Sequence, residues 1–255
     1  MKKIIKYVIV DIMRNKIVIA YTLLLLAISF SLFNLEDNTD KGLLGLMNIV
    51  LIIVPLICII FSTIYVYNSA EFIELLVSQP LQRKHIWISL FAGIAIALTL
   101  AFVVGVGIMV LLYSFTATGL ILIGVGLILS VIFVAIALLA AVYTRDKAKG
   151  IGIAVLLWLY FSIIFDGLVL FILFQFADYP LDKAMLVLSG LNPIDTGRIL
   201  VLLKMDVSAL MGYTGAVFQN FFGTAIGMGI TLLVMFLWMI VPVSLSVRKF
   251  RRKDL

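Results

Sequence analysis

The chain has 255 residues, of which 64% are hydrophobic and only 13% charged, and its mean hydropathy is +1.27. Soluble domains are roughly half apolar and a quarter charged, so a soluble globular protein is excluded and an all-α integral membrane protein is indicated. The net charge of +6 requires no nucleic acid, because its placement along the chain follows a membrane topology.

Residues 1–16 begin with Lys2, Lys3 and Lys6, and Ile4, Ile5, Val8, Ile9, Ile12 and Met13 repeat at helical spacing. Asp11, Arg14 and Asn15 interrupt the apolar run and no A-x-A site follows, which argues against a signal peptide. The spacing predicts an amphipathic helix lying along a membrane surface, its lysines near anionic lipid. Six apolar runs follow, near residues 17–33, 43–67, 86–113, 119–143, 151–176 and 223–247. At about 20 residues each they are long enough to span a bilayer, and they leave no room for a separate soluble domain. Span two carries Pro55, a potential kink. Along span three Gly93, Ala97, Ala101 and Gly105 recur every four residues, a small-residue face for close helix packing. Gly223 and Gly227 form a weaker pair of the same kind in span six.

With the N-terminus placed in the cytoplasm, the inner segments hold Lys2, Lys3, Lys6, Arg14, Lys16, Arg83, Lys84, Arg145, Lys147, Lys149, Arg248, Lys249, Arg251, Arg252 and Lys253. That is fifteen of the 19 basic residues. Lys41, Lys183, Arg198 and Lys204 fall outside. The asymmetry fits the positive-inside rule, both termini cytoplasmic and the spans even in number.

Residues 68–85, NSAEFIELLVSQPLQRKH, form the longest polar interruption of the first half. Glu71, Glu74, Arg83 and Lys84 cannot sit cheaply in hydrocarbon. Phe72, Ile73, Leu75, Leu76 and Val77 supply an apolar stripe, and Pro80 stops the helix. A short helix so placed is either a lever for a partner outside the bilayer or an ordinary helix among the headgroups. Residues 177–222 are the longest outer segment. Asn192 as N-cap, Pro193 at the first position and Asp195 at the third predict a helix start, continued by Arg198 and the leucines after it. Asp206 predicts a second cap, with its helix ending at Gly212. Such helices are expected to pack on the outer mouth of the bundle.

No GxxxxGK[ST] occurs, so the chain carries no P-loop. One cysteine, Cys58, and one histidine, His85, rule out a Cys or His metal cluster within one chain. Glu71 and Glu74 read as a solvated face rather than a paired-carboxylate site. Met228, Met235 and Met239 share a face of span six, which packing explains as well as a copper path does. Asp166 is the one acid within a span. Either it couples to an ion or it makes a structural hydrogen bond, to another helix or to a Tyr or Asn near the outer face. A secondary transporter would need more polar groups at mid-membrane and often shows inverted repeats.

Four stretches carry a resemblance over essentially the whole chain: ELLVSQPLQR (74–83), WLYFSIIFD (158–166), NPIDTGRIL (192–200) and DVSALMGYTGAVF (206–218). With six spans, an elbow helix before span one and a polar helix between spans two and three, the chain resembles the membrane subunit of an ABC-2 type ABC transporter. Within that group it is most similar to the NosY family, permeases of multicopper-enzyme maturation such as that of nitrous oxide reductase.

The resemblance implies a homodimer in the cell inner membrane and two copies of a separate ATPase that bind the ATP. The chain itself would then be no enzyme, with no cofactor or metal of its own. Coupling to the ATPase would fall to Glu71, Phe72, Glu74, Leu75, Leu76, Pro80 and Arg83. The outer segment, with Asn192, Pro193, Asp195, Arg198, Asp206, Gly212 and Tyr213, would meet a periplasmic β-helical, NosD-like partner. The alternatives are a generic ABC-2 exporter of lipid or hydrophobic substrate, an ion-coupled transporter using Asp166, and an intramembrane enzyme.

Overall fold

A computed structural model describes residues 1–36, 38–176, 182–203 and 225–252. These residues form helices and no strand. Helix α1 is Lys2–Met13, α2 Lys16–Leu35, α3 Thr39–Asn68 and α4 Ala70–Val77. Helix α5, Arg83–Phe102, runs through a π-helical turn at Val103–Gly107 into α6, Ile108–Tyr113. Helix α7 is Ala117–Tyr143. Helix α8, Lys147–Leu159, passes through a second π turn, Tyr160–Ile164, into α9, Phe165–Gln175. Helices α10, Asp182–Gly190, and α11, Pro193–Leu202, precede α12, Ala225–Arg251.

Among the described residues six helical stretches are long and apolar enough to cross a membrane: α2, α3, α5–α6, α7, α8–α9 and α12. Their even number puts residues 1–15, α4, the 144–146 turn and the end of α12 at one end of the bundle, called here the terminal end. The helices outrun the apolar sequence at their ends. Span two begins at Thr39, capped by Asn38, and span five begins at Lys147, capped by Asp146, whose carboxylate accepts from the Lys149 N–H at 2.7 Å. A polar cap supplies the first-turn donors with an acceptor, so the helix continues past the hydrocarbon boundary.

The core is a seam of α3, α5 and α7. The small-residue face of span three is used. A Cβ on Gly93 would meet Val8 Cγ1 at 2.5 Å, and one on Gly105 would meet Leu25 Cβ at 2.7 Å. Glycine lets α1 and α2 approach the α5 backbone, so α1 buries Val8 and Ile12 completely against the bundle. Gly227 is buried, and Gly223 lies outside the described residues. Met235 is wholly buried while Met239 is partly buried against the core, a packing role that sulfur suits.

The hairpin of α10 and α11 departs from the sequence expectation. It does not rest on the mouth of the bundle but enters it. Its turn contacts Phe161, which stands fourteen residues from either end of the Lys147–Gln175 stretch. At 1.5 Å per residue that is about 21 Å from each end. It also contacts Trp238, near the middle of Gly227–Arg251. Ile194, Thr196, Gly197, Ile199, Leu200, Val201 and Leu202 are all buried, and the apolar ones among them gain by leaving water while Asp195 and Arg198 pair with each other. Gly197 permits the depth, since a Cβ there would meet Val125 Cγ1 at 2.8 Å.

Candidate functional site

Two sites stand at opposite ends of the bundle. At the terminal end, α4 follows α3 after a single capping residue, Ser69. Ile73 and Leu76 face inward and are buried, while Glu71, Glu74 and Leu75 are exposed, Leu75 at 63%. The helix ends at Ser78, whose hydroxyl donates to the Leu75 carbonyl at 2.9 Å, two residues before the exposed Pro80. Arg83 is half-buried at the first turn of α5. Glu71 and Leu75 thus present an edge away from the bundle and Glu74 borders a cavity beside it, whereas Phe72 and Leu76 face neighbouring elements.

Phe72 stacks on Tyr7 of α1 with ring centroids 5.0 Å apart. The Tyr65 hydroxyl, one turn before α4, donates to the Asp11 carboxylate at 2.9 Å. The elbow helix therefore holds both α4 and the end of span two. The 144–146 turn is held too. The Tyr67 hydroxyl hydrogen-bonds the Thr144 hydroxyl, and Lys147 Nζ donates to Asn68 Oδ1 at 2.7 Å. Beyond it, Trp87 Nε1 donates to Ser246 Oγ at 3.0 Å, and its ring stacks on Phe250 at 4.3 Å. Glu74, Trp87, Arg145 and Phe250 line one cavity of about 320 Å³ between these parts. Helix α4 touches α1, span two and span three, and these in turn meet the 144–146 turn and span six through Tyr67, Asn68 and Trp87. No signal in the sequence singled out Tyr7, Asp11, Tyr65 or Tyr67 for this work, since tyrosine near a membrane boundary is ordinary.

At the hairpin, Asn192 and Pro193 begin α11 as the sequence predicts. Asn192 Oδ1 accepts from the Ile194 N–H at 3.0 Å. The same side chain also donates from Nδ2 to the Phe161 carbonyl at 2.8 Å. Phe161 lies in the π turn, where an added residue disrupts the regular i to i−4 ladder. Two further carbonyls of the hairpin turn also have partners. The Gly190 carbonyl accepts from Trp238 Nε1 at 3.1 Å, and the Ser189 carbonyl from the Thr196 hydroxyl at 2.8 Å. Non-helical backbone survives at membrane depth when protein groups satisfy it in this way.

Asp166 is paired. Arg198 Nη1 lies 3.0 Å from Asp166 Oδ2 and 3.1 Å from Asp195 Oδ1. One guanidinium bridges an acid of span five and an acid of its own helix, three residues apart, with Asn192 Nδ2 3.2 Å from Asp195 Oδ2. The sequence left Asp166 between ion coupling and a structural bond, and it did not name Arg198, 32 residues away, as a partner. Asp206, Gly212 and Tyr213 lie outside the described residues. Among the described residues no group of three or more His, Cys, Asp and Glu could hold a metal ion.

A short polar-edged helix at one end and a hydrogen-bonded hairpin inserted from the other complete a bundle of six spanning stretches among the described residues. Among curated proteins none matches the chain. The family model described as ABC-2 family transporter protein matches residues 4–255. The chain therefore belongs to the ABC-2 family of transporter proteins, the permease subunits of ABC transporters, whose membership implies an ATPase partner subunit.

Proposed function

We propose that this chain dimerises with a second copy and converts ATP hydrolysis by two separate ATPase subunits into movement of its outer segment. On this reading the terminal end faces the cytoplasm, because the basic residues concentrate there, and the membrane is the cell inner membrane. The chain binds no ATP and catalyses nothing itself. Helix α4 is the receiving lever, with Glu71, Glu74 and Leu75 offered to the ATPase and Arg83 and Pro80 setting its exit. The observation that carries this is the Tyr7–Phe72 stack beside the Tyr65–Asp11 bond, which links the lever to two further elements. Span five supports the dimer: only 11% of its most apolar window is buried within the chain, leaving a long apolar face for a second copy.

The finer reading is maturation of a copper enzyme such as nitrous oxide reductase, with a periplasmic β-helical, NosD-like partner. It rests on the NosY resemblance. Two of the resembling stretches, 158–166 and 192–200, meet through the Asn192–Phe161 and Asp166–Arg198 contacts, which gives that shared pattern a physical use. The Arg198 pairing of Asp166 counts against an ion-coupled transporter, since a coupling carboxylate must release its partner to take a cation.

The test is charge reversal at Glu74. In the complex copurified in mild detergent, Glu74→Lys is expected to insert normally and to lose permease-stimulated ATPase activity. Unchanged stimulation would sink the lever role. Identification of the copurified proteins tests the rest. An ATPase with a β-helical protein supports copper-enzyme maturation. An ATPase alone supports an exporter of lipid or hydrophobic substrate. Absence of an ATPase overturns the proposal.

A further inference from the structure

A cavity of about 690 Å³ opens between the start of α5 and the end of α12. Its rim carries Lys84, Arg248, Arg251 and Arg252, and its lining contains no carboxylate. Its floor is apolar and climbs to Phe91 and Met239. Phe91 is seven residues beyond Lys84, and Met239 twelve before Arg251, so the groove enters the hydrocarbon by about 10 to 18 Å. Four cations above an apolar channel of that length match one chemistry: a phosphate-bearing headgroup with acyl chains beneath it. No ion pair involves these four cations among the described residues. The groove walls are fixed from behind, because the Trp87–Ser246 bond and the Trp87–Phe250 stack clamp α5 to α12.

We infer that this groove is a binding site for an anionic glycerophospholipid of the leaflet at the terminal end. Two other occupants fit less well. A second copy docked here by a two-fold axis would set the same patch against itself and oppose four cations with four, which is repulsive. A soluble ATPase can reach the rim but not Phe91 or Met239, which lie within the spanning stretches. The inference does not depend on the lever role of α4. It adds a lipid requirement to a chain whose basic end otherwise reads only as a topology signal.

Native mass spectrometry of the purified full chain, titrated with phosphatidylglycerol or phosphatidylcholine, tests it. Phosphatidylglycerol is expected to remain bound at collision energies that strip phosphatidylcholine. The Arg248→Gln/Arg251→Gln double variant is expected to weaken phosphatidylglycerol binding about thirtyfold, the combined contribution of two cations near a membrane surface. Ile88→Trp, which keeps every charge but fills the groove, is expected to do the same and guards against misfolding of the first variant. Lys2→Gln/Lys3→Gln removes two cations of the same end outside the groove and is expected to change nothing. Equal retention of the two lipids, or an equal loss in the Lys2/Lys3 variant, would overturn the site. So would efficient cross-linking of Ile240→Cys between copies in membranes, which would make the groove an interface between subunits.

Discussion

Asn192 donates its side-chain amide to the Phe161 carbonyl at 2.8 Å, across 31 residues of sequence and at the midpoint of a spanning helix. One side chain thereby caps α11 and satisfies the π turn of span five. Removing it should cost twice. Asn192→Ala is expected to lower stability in detergent by about 2 kcal/mol, from the lost cap and an unsatisfied buried carbonyl. Asn192→Asp keeps the cap acceptor but sets a buried carboxyl against the Phe161 carbonyl and Asp195, so it should recover none of the loss. Thermal unfolding of the three proteins checks this, and equal melting temperatures for Asn192→Asp and the parent would show that the Phe161 bond contributes nothing.

Arg198 holds two carboxylates, so its loss should exceed that of either acid. Arg198→Met leaves Asp166 and Asp195 without their cation, whereas Asp166→Asn leaves Arg198 still paired with Asp195. Both Arg198 and Asp166 are about a third exposed, which reduces the strength of the pair. A loss of about 1 to 2 kcal/mol is expected for Arg198→Met and less for Asp166→Asn. A double-mutant cycle of the two gives the coupling, and strict additivity would show that the pair does no structural work.

Gly93 gives α1 its place. A valine there would collide with Val8, so Gly93→Val is expected to push α1 off span three at a cost of about 1 to 3 kcal/mol. The readout is local: amide hydrogen exchange across residues 2–13 should rise while exchange in α7 stays unchanged. A companion loss of ATPase stimulation would follow, because Tyr7 would no longer meet Phe72. Unaltered exchange in α1 would mean that the helix is held chiefly by the membrane surface.

Tyr67 fastens the 144–146 turn to the end of span two. Tyr67→Phe keeps the ring against Gly150 and removes only the hydroxyl, so a loss of about 1 kcal/mol is expected. Protease cleavage at Arg145 or Lys147 should then become faster in detergent-solubilised protein. Cleavage at the parent rate would show that the Lys147–Asn68 bond alone secures the turn.

Much of this protein is written in its linear order, because membrane insertion is governed by local composition. Apolar length fixes the six spans, and the amphipathic spacing of residues 2–13 and 70–77 fixes the two surface helices. The cap at Asn192 with Pro193 is equally local, since it depends on backbone donors two or three residues away. What tertiary structure decided is which polar groups meet. Asp166 was visible as an anomaly, but its partner Arg198 was not, because nothing in either neighbourhood encodes a contact 32 residues away. The depth of the hairpin was hidden for the same reason. Residues 193–202 are short and moderately apolar, and only the space beside Gly197, with Trp238, Thr196 and Phe161 answering the turn's polar groups, makes the interior of the bundle a better solvent for them than water.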